Sequence, residues 1–227
     1  NLAELTGKPF CEEQLREIIR VENETRKELK TFFRHQKERH YPAELVSHLY
    51  LMMGMHLLIG SREFLDLIRF MNDEISQAPS FEGTKIMWVH LIPFYQETLK
   101  KYFNSSSDYQ IVATDMSLDF AEMLDEDHPF EALAKKTIRN LFNGSYDQKS
   151  RRLAQMASEL RPDAVINFCH WGCKQAFGGS MLLKEKMQEL GIPMINLDGD
   201  GIDKRNSHDG QIKTRLEAFL EMIKETK

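Results

Sequence analysis

The sequence predicts an α/β protein: a parallel sheet of about four strands flanked by helices, preceded by a helical region. Three observations carry this. Up to Pro79 the apolar residues recur at helical spacing. After Pro79 four short apolar runs follow: KIMWVHLI (85–92), YQIVA (109–113), AVINF (164–168) and PMINL (193–197). Each run is of strand length and is followed by an amphipathic helical pattern, as in βαβ units whose sheet is covered on both faces.

Glu12 to Lys37 places Leu15, Ile18, Ile19, Leu29, Phe32 and Phe33 among charges at helical spacing. Pro42 sits where a first helical turn accepts it, and the helix it opens is expected to reach about Ile59. Gly60 stops that helix, and Ser61 is placed to cap a third one carrying Phe64, Leu67, Ile68, Met71 and Ile75. In the second half, helices are expected over 94–103, 148–160, 173–190 and 211–224. The stretch from Thr114 to Gly144 reads as one or two helices broken at Pro129. Residues 1–82 are thus expected to form a helical region and 83–227 an α/β domain of Rossmann or flavodoxin-like type. Parallel strands bring their C-termini to one edge, where open sheets of this kind bind ligands.

Composition narrows the function. A chain of 227 residues with 41% hydrophobic and 29% charged residues suits a globular protein, and a formal net charge of −5 gives no basic excess for nucleic acid. No polybasic tract points to a membrane surface. The most apolar helical stretch, Leu45 to Ile59, is interrupted by Ser47, His48, Gly54 and His56 and is too short to span a bilayer. Three cysteines, an odd number, and no secretory leader imply a reducing cytoplasm rather than a disulfide framework. The chain lacks an initiator Met, which suits a processed chain or a piece of a longer one.

The first candidate site is the junction INFCHWGCKQAFGGS, 166–180. Phe168 ends the third strand, Cys169 to Gly172 form a turn, and Cys173 enters the next helix. A thiol at a helix N-terminus is favoured as thiolate, and thiolates bind soft metals and iron–sulfur clusters. The plain alternative is a buried strand-end cysteine followed by an ordinary helix cysteine, and CxxxC by itself favours that alternative. Zinc would need a fourth ligand beyond Cys169, His170 and Cys173. A nucleophilic cysteine would need a base that the spacing does not identify. Lys174 is a cation where the helix dipole disfavours one, so it either answers a ligand anion or points to solvent. Gly178 and Gly179 each cost a helix about 1 kcal/mol relative to Ala. They mark either a close backbone approach or a kink.

The second candidate is LDGDGIDKRNSHDGQIKTR, 197–215, which starts at the end of the fourth strand and faces the same edge. Its acidic spacing suggests calcium, but no helix precedes it and the last loop position is Asp209 rather than Glu. Arg205, Asn206 and Arg215 are candidates for an anionic or carbonyl group, and Ser207 or Asp209 for capping the last helix. His40, His48 and His56 read as helix-boundary residues rather than metal ligands.

The segment from His170 to Ile223 resembles the C-terminal part of a 2-hydroxyacyl-CoA dehydratase component D subunit, in the wider family that includes ATP-dependent benzoyl-CoA reductase subunits. The N-terminal LAELTGKPFCEEQLREIIRVENETRKEL resembles the helical region in the middle of such subunits. The Gly-Cys-Lys-Gln element followed by the Asp-Gly-Asp loop is the specific part.

The resemblance implies an oxygen-sensitive, anaerobic, cytoplasmic lyase. It removes water from an (R)-2-hydroxyacyl-CoA to give a 2-enoyl-CoA, through a radical formed after ATP-driven one-electron reduction. It implies a heterodimer with a paralogous dehydratase subunit, a separate ATP-dependent iron–sulfur activator protein, and a 4Fe-4S cluster held by three cysteines of a subunit. Cys173 matches the last of those cysteines, whereas Cys169 matches no required ligand and remains the weaker metal candidate. Gln175, with Lys174 and Ser180, is the candidate to touch the substrate.

The family's first two cluster cysteines lie in an N-terminal α/β domain without a counterpart here, and Cys11 lies in the helical region. The chain is therefore expected to be a C-terminal fragment, inactive alone, with an incomplete cluster or none and with most catalytic groups in the other domain. An apolar face is expected where that domain would sit. A related aryl-CoA reductase subunit, or a cluster-free α/β binding or assembly module, remain the alternatives.

Overall fold

The structure is a computed structural model and describes residues 2–116, 122–206 and 208–226. The N-terminal part is helical: α1 (Leu2–Thr6), α2 (Glu12–Glu38), α3 (Leu45–Leu58) and α4 (Arg62–Ser76). Pro42 lies ahead of α3 rather than in its first turn, because Glu44 is the residue before the helix and still has extended backbone. Ser61 caps α4 as its position suggested, its hydroxyl accepting from the Phe64 N–H. Leu29, Met55, Ile59, Phe64 and Ile68 form the core between α2, α3 and α4.

The second part alternates strand and helix. It comprises β1 (Thr84–Val89), α5 (Glu97–Phe103), β2 (Tyr109–Thr114), α6 (Pro129–Ile138), α7 (Tyr146–Leu160) and β3 (Ala164–His170). It continues through α8 (Lys174–Gly178), α9 (Ser180–Glu189), β4 (Met194–Gly199) and α10 (Asp209–Thr226). All strand pairings are parallel, in the order β2-β1-β3-β4. Strand alternation divides the core in two. Ile86, Trp88, Ile166 and Phe168 face α5 and α10, together with Leu99, Leu216 and Leu220. Met87, Val89 and Val165 face α7 and α9, together with Leu153, Met156, Leu183 and Met187.

Further details differ from the sequence reading. Pro129 opens α6 instead of breaking a helix, since its missing N–H is no loss at a first turn. The helix expected over 173–190 is two helices meeting at Gly179. Its backbone is closely approached: a Cβ there would fall 2.1 Å from Cγ of Tyr146. The position of Ser207 as a cap lies outside the described residues. Asp209 caps the neighbouring helix, its carboxylate accepting from the Thr98 N–H at 3.1 Å and the Thr98 hydroxyl at 2.7 Å.

β2 is an edge strand, yet all six of its residues are buried because the end of α2 closes that edge. Gln36 donates to the Ile111 carbonyl at 3.0 Å, and Gln110 donates to the carbonyls of Gln36 and Arg39 and accepts from the Tyr41 N–H. Among the described residues, no helix is long and apolar enough to cross a membrane.

Candidate functional site

The strand order places the site. From β1 the chain moves to β2 on one side, then returns to β3 on the other side of β1. The order therefore reverses between β1 and β3, and the two outgoing loops part to leave a crevice at their C-terminal ends. β3 runs through Cys169 to His170, two residues beyond the strand end expected at Phe168, so the turn is confined to Trp171 and Gly172 and delivers Cys173 to α8 at this place.

Cys173 is the N-cap of α8. Its Sγ accepts from the Ala176 N–H at 3.4 Å, and its thiol is partly exposed. Cys169 is different. It is buried, accepts from the Asn167 amide at 3.3 Å and donates to the Ala176 carbonyl at 3.6 Å. Burial, reinforced by the Asp198 carboxylate, pushes its thiol up to about 11, so it remains a neutral thiol. Lys174 is exposed, and Gln175 and Ser180 are half-buried along the same turn and the start of α9. The Ser180 hydroxyl donates to the Phe177 carbonyl at 2.9 Å and also lies in hydrogen-bond relation to the Cys169 thiol.

The loop after β4 is organised by its own charges. Asp200 accepts from the N–H groups of Ile202 and Asp203 and from the Asn206 amide. These bonds, Asp203's first among them, hold its carboxyl down at about 2. Arg205 pairs with Asp203, and Arg215 with Asp198 and the Asn196 carbonyl. The two arginines and Asn206 thus hold the loop together. His170 joins this loop to the β3 turn, its Nδ1 accepting from the Gly201 N–H at 3.1 Å. Phe94, Trp171, Phe177, Met181 and Ile202 leave apolar surface exposed around this edge.

The structure also assembles a buried polar group that sequence reasoning missed. His90 follows β1 with a left-handed backbone, φ 67°, and its N–H donates to Asp115 at 3.0 Å. Its Nδ1 lies 2.8 Å from Oδ1 of Asn167 on β3. The Asn167 amide nitrogen donates to Asn196 and Cys169, so its oxygen accepts, and the proton is assigned to His90 Nδ1. Burial is the main cause that lowers His90, so the ring is neutral with its lone pair on Nε2. Lys149 on α7 lies beneath, 2.9 Å from Asp115, over the Phe142 ring at 4.1 Å. A polar His at the end of an otherwise buried strand run was the signal available in KIMWVHLI. Asp115, Tyr146, Lys149 and Asn167 are far apart in sequence and gave none.

An iron–sulfur cluster can be tested against these residues. Among the described residues no three His, Cys, Asp or Glu side chains come together as a metal site. Cys169, inside β3, is held neutral within its own hydrogen bonds, and Cys11 is exposed ahead of α2. The described residues offer Cys173 alone and do not by themselves fit a cluster.

The fold is a parallel α/β sheet with Cys173 just past its switch point, and sequence comparison specifies the family. A family model for the 2-hydroxyglutaryl-CoA dehydratase D-component matches residues 1–223, and the chain belongs to that family. It is 23% identical to the (R)-phenyllactyl-CoA dehydratase beta subunit of Clostridium sporogenes and 20% identical to the alpha subunit. Both alignments cover 98% of this chain, and the chain spans 60% and 56% of the two relatives' lengths.

Proposed function

We propose that this chain is part of a dehydratase subunit that removes water from an (R)-2-hydroxyacyl-CoA to give a 2-enoyl-CoA. The reading includes a paralogous partner subunit, one-electron reduction by an ATP-dependent iron–sulfur activator, a radical intermediate and a cytoplasmic, anaerobic setting. The observation that carries it is the position of Cys173: a partly exposed thiol capping α8 at the β1/β3 switch point, in a chain of this family. Support for two subunits comes from the relatives, which are the alpha and beta subunits of one enzyme.

In this reading Cys173 supplies one thiolate to a 4Fe-4S cluster whose other ligands lie outside the described residues. Lys174 answers the negative charge of the ligand, and Gln175 and Ser180 contact its thioester. Residues 1–82 act as a helical unit and 83–227 as the α/β unit bearing the site. This division is tested by limited proteolysis, which should cut first between them.

The function is tested with the anaerobically purified complex that contains this chain, its activator, ATP and (R)-phenyllactyl-CoA. Enoyl-CoA formation that Cys173→Ala abolishes is the expected result. Formation of a dienoyl product from an aromatic thioester, with no dehydration, would replace this reading with the reductase one.

A further inference from the structure

Two buried side-chain atoms at the switch point have no hydrogen-bond partner among the described residues, and their needs are opposite. His90 is 8% exposed, and its Nε2 is shielded and unpartnered. With Nδ1 donating to Asn167, Nε2 is an acceptor. The Tyr146 hydroxyl, also shielded and unpartnered, comes from the facing helix α7. The two rings are neighbours, with centroids 6.1 Å apart and planes inclined at 45°, yet they do not bond each other. An unmade buried hydrogen bond costs about 1–3 kcal/mol per group, so a small group that bonds either atom, or both, relieves that cost.

The position is built rather than incidental. His90 is fixed by its left-handed backbone, by its N–H to Asp115 and by Asn167, which is itself held by Asn196. Tyr146 is held by the close approach of its ring to the Gly179 backbone, where any side chain would collide with it.

The chemistry selects the occupant. An ionised carboxylate has no proton for Nε2. An ammonium would lie near Lys149, whose Nζ is 5.9 Å from the Tyr146 ring centre. Among the described residues no group of three His, Cys, Asp or Glu side chains that could hold a metal includes His90. A hydroxyl group both donates and accepts, and so satisfies both atoms at once.

We propose that His90 Nε2 and the Tyr146 hydroxyl form a hydroxyl-binding couple at the β1/β3 switch point, near Cys169 and Cys173. The hydroxyl donates to His90 and accepts from Tyr146. Its source is either a bound water or the alcohol of a ligand. Only assignment of the ligand source rests on the dehydratase reading.

The test is ring-nitrogen NMR of the chain labelled with 15N-histidine, with the His90 signals assigned by their loss in His90→Asn. Asn also tolerates the left-handed backbone. Spectra are taken alone, with (R)-phenyllactyl-CoA, and with 3-phenylpropionyl-CoA, the same thioester without its hydroxyl. We expect a protonated Nδ1 and an unprotonated Nε2 shielded by an accepted hydrogen bond. Tyr146→Phe, which keeps the ring over Gly179, should reduce that shielding. Shielding in the free chain that neither thioester changes identifies water. Shielding that needs the hydroxyl thioester identifies the ligand alcohol. A proton on Nε2, an unbonded Nε2 in all three states, or shielding untouched by Tyr146→Phe overturns the proposal. Calorimetry on the same samples separates the two readings: thioesters that do not bind, beside an intact water signal, count against the dehydratase reading alone.

Discussion

Lys149 Nζ lies 2.9 Å from Asp115 Oδ2, and both side chains are fully shielded from solvent. The contact is close but not aligned as a hydrogen bond, since neither atom has a hydrogen-bond partner among the described residues. Charge neutralisation therefore carries this pair, helped by the Phe142 ring under the ammonium. It joins α7 to the end of β2, one layer below His90.

Removing one partner strands the other charge in the interior. Lys149→Met is expected to lower unfolding free energy by about 3–5 kcal/mol. Adding Asp115→Asn should recover a large part of this, because it removes the stranded charge and keeps an acceptor for the His90 N–H. Urea unfolding of the single and double variants measures both.

The two adjacent glycines should behave differently. Gly179→Ala would place a methyl 2.1 Å from the Tyr146 ring, whereas a Cβ at Gly178 meets nothing within 4 Å. Gly179→Ala is expected to cost about 1–3 kcal/mol by overpacking. Gly178→Ala should be neutral or stabilising by up to about 1 kcal/mol. Thermal unfolding of the two variants separates them.

This contrast marks the limit of what the sequence made legible. Four strands were readable because Val, Ile, Met and Phe cluster in short runs between amphipathic helices. Their observed bounds shift by up to three residues: β3 runs two residues further, to His170, whereas β1 stops at Val89, three short of Ile92, where the chain leaves the sheet at the left-handed His90. The cysteine turn was readable as a place, since strand ends are predictable. The reason for Gly179 was not, because the ring it accommodates comes from Tyr146, 33 positions earlier in the chain. The same holds for His90. Its partners Asp115 and Asn167 come from the end of β2 and the middle of β3, and only the order β2-β1-β3-β4 brings them together. Arg205 and Arg215 looked free in sequence because their carboxylate partners were read as loop acids.

Thiol reactivity should rank the cysteines. Cys11 is exposed, Cys173 is partly exposed, and Cys169 is buried with its thiol raised to about 11. With iodoacetamide near pH 8, Cys11 and Cys173 are expected to be alkylated well before Cys169. Peptide mass spectrometry over time reads the order, and early loss of Cys169 would contradict the hydrogen-bonded geometry described for it.

Acid sensitivity should include a contribution from His48. Its ring packs edge-on to Tyr41 at 6.4 Å, and desolvation lowers it from 6.5 to about 4. Between those values the unfolded chain binds the proton and the native chain does not. Stability from this group therefore falls as pH drops from 6.5 towards 4, and is constant above 6.5. His48→Leu should show a smaller loss of urea midpoint between about pH 7 and about pH 5 than the unaltered chain.

Under the proposed function, the thiol at the switch point serves a redox dehydratase. The most direct measurement is iron and acid-labile sulfide in the anaerobically purified complex containing this chain, with Cys173→Ala beside it. The account predicts about four irons for the cluster of this subunit and their loss in the variant, with Cys169→Ala retaining them. Iron content unchanged by Cys173→Ala, or none in either protein, would contradict it and leave Cys173 as the N-cap of α8.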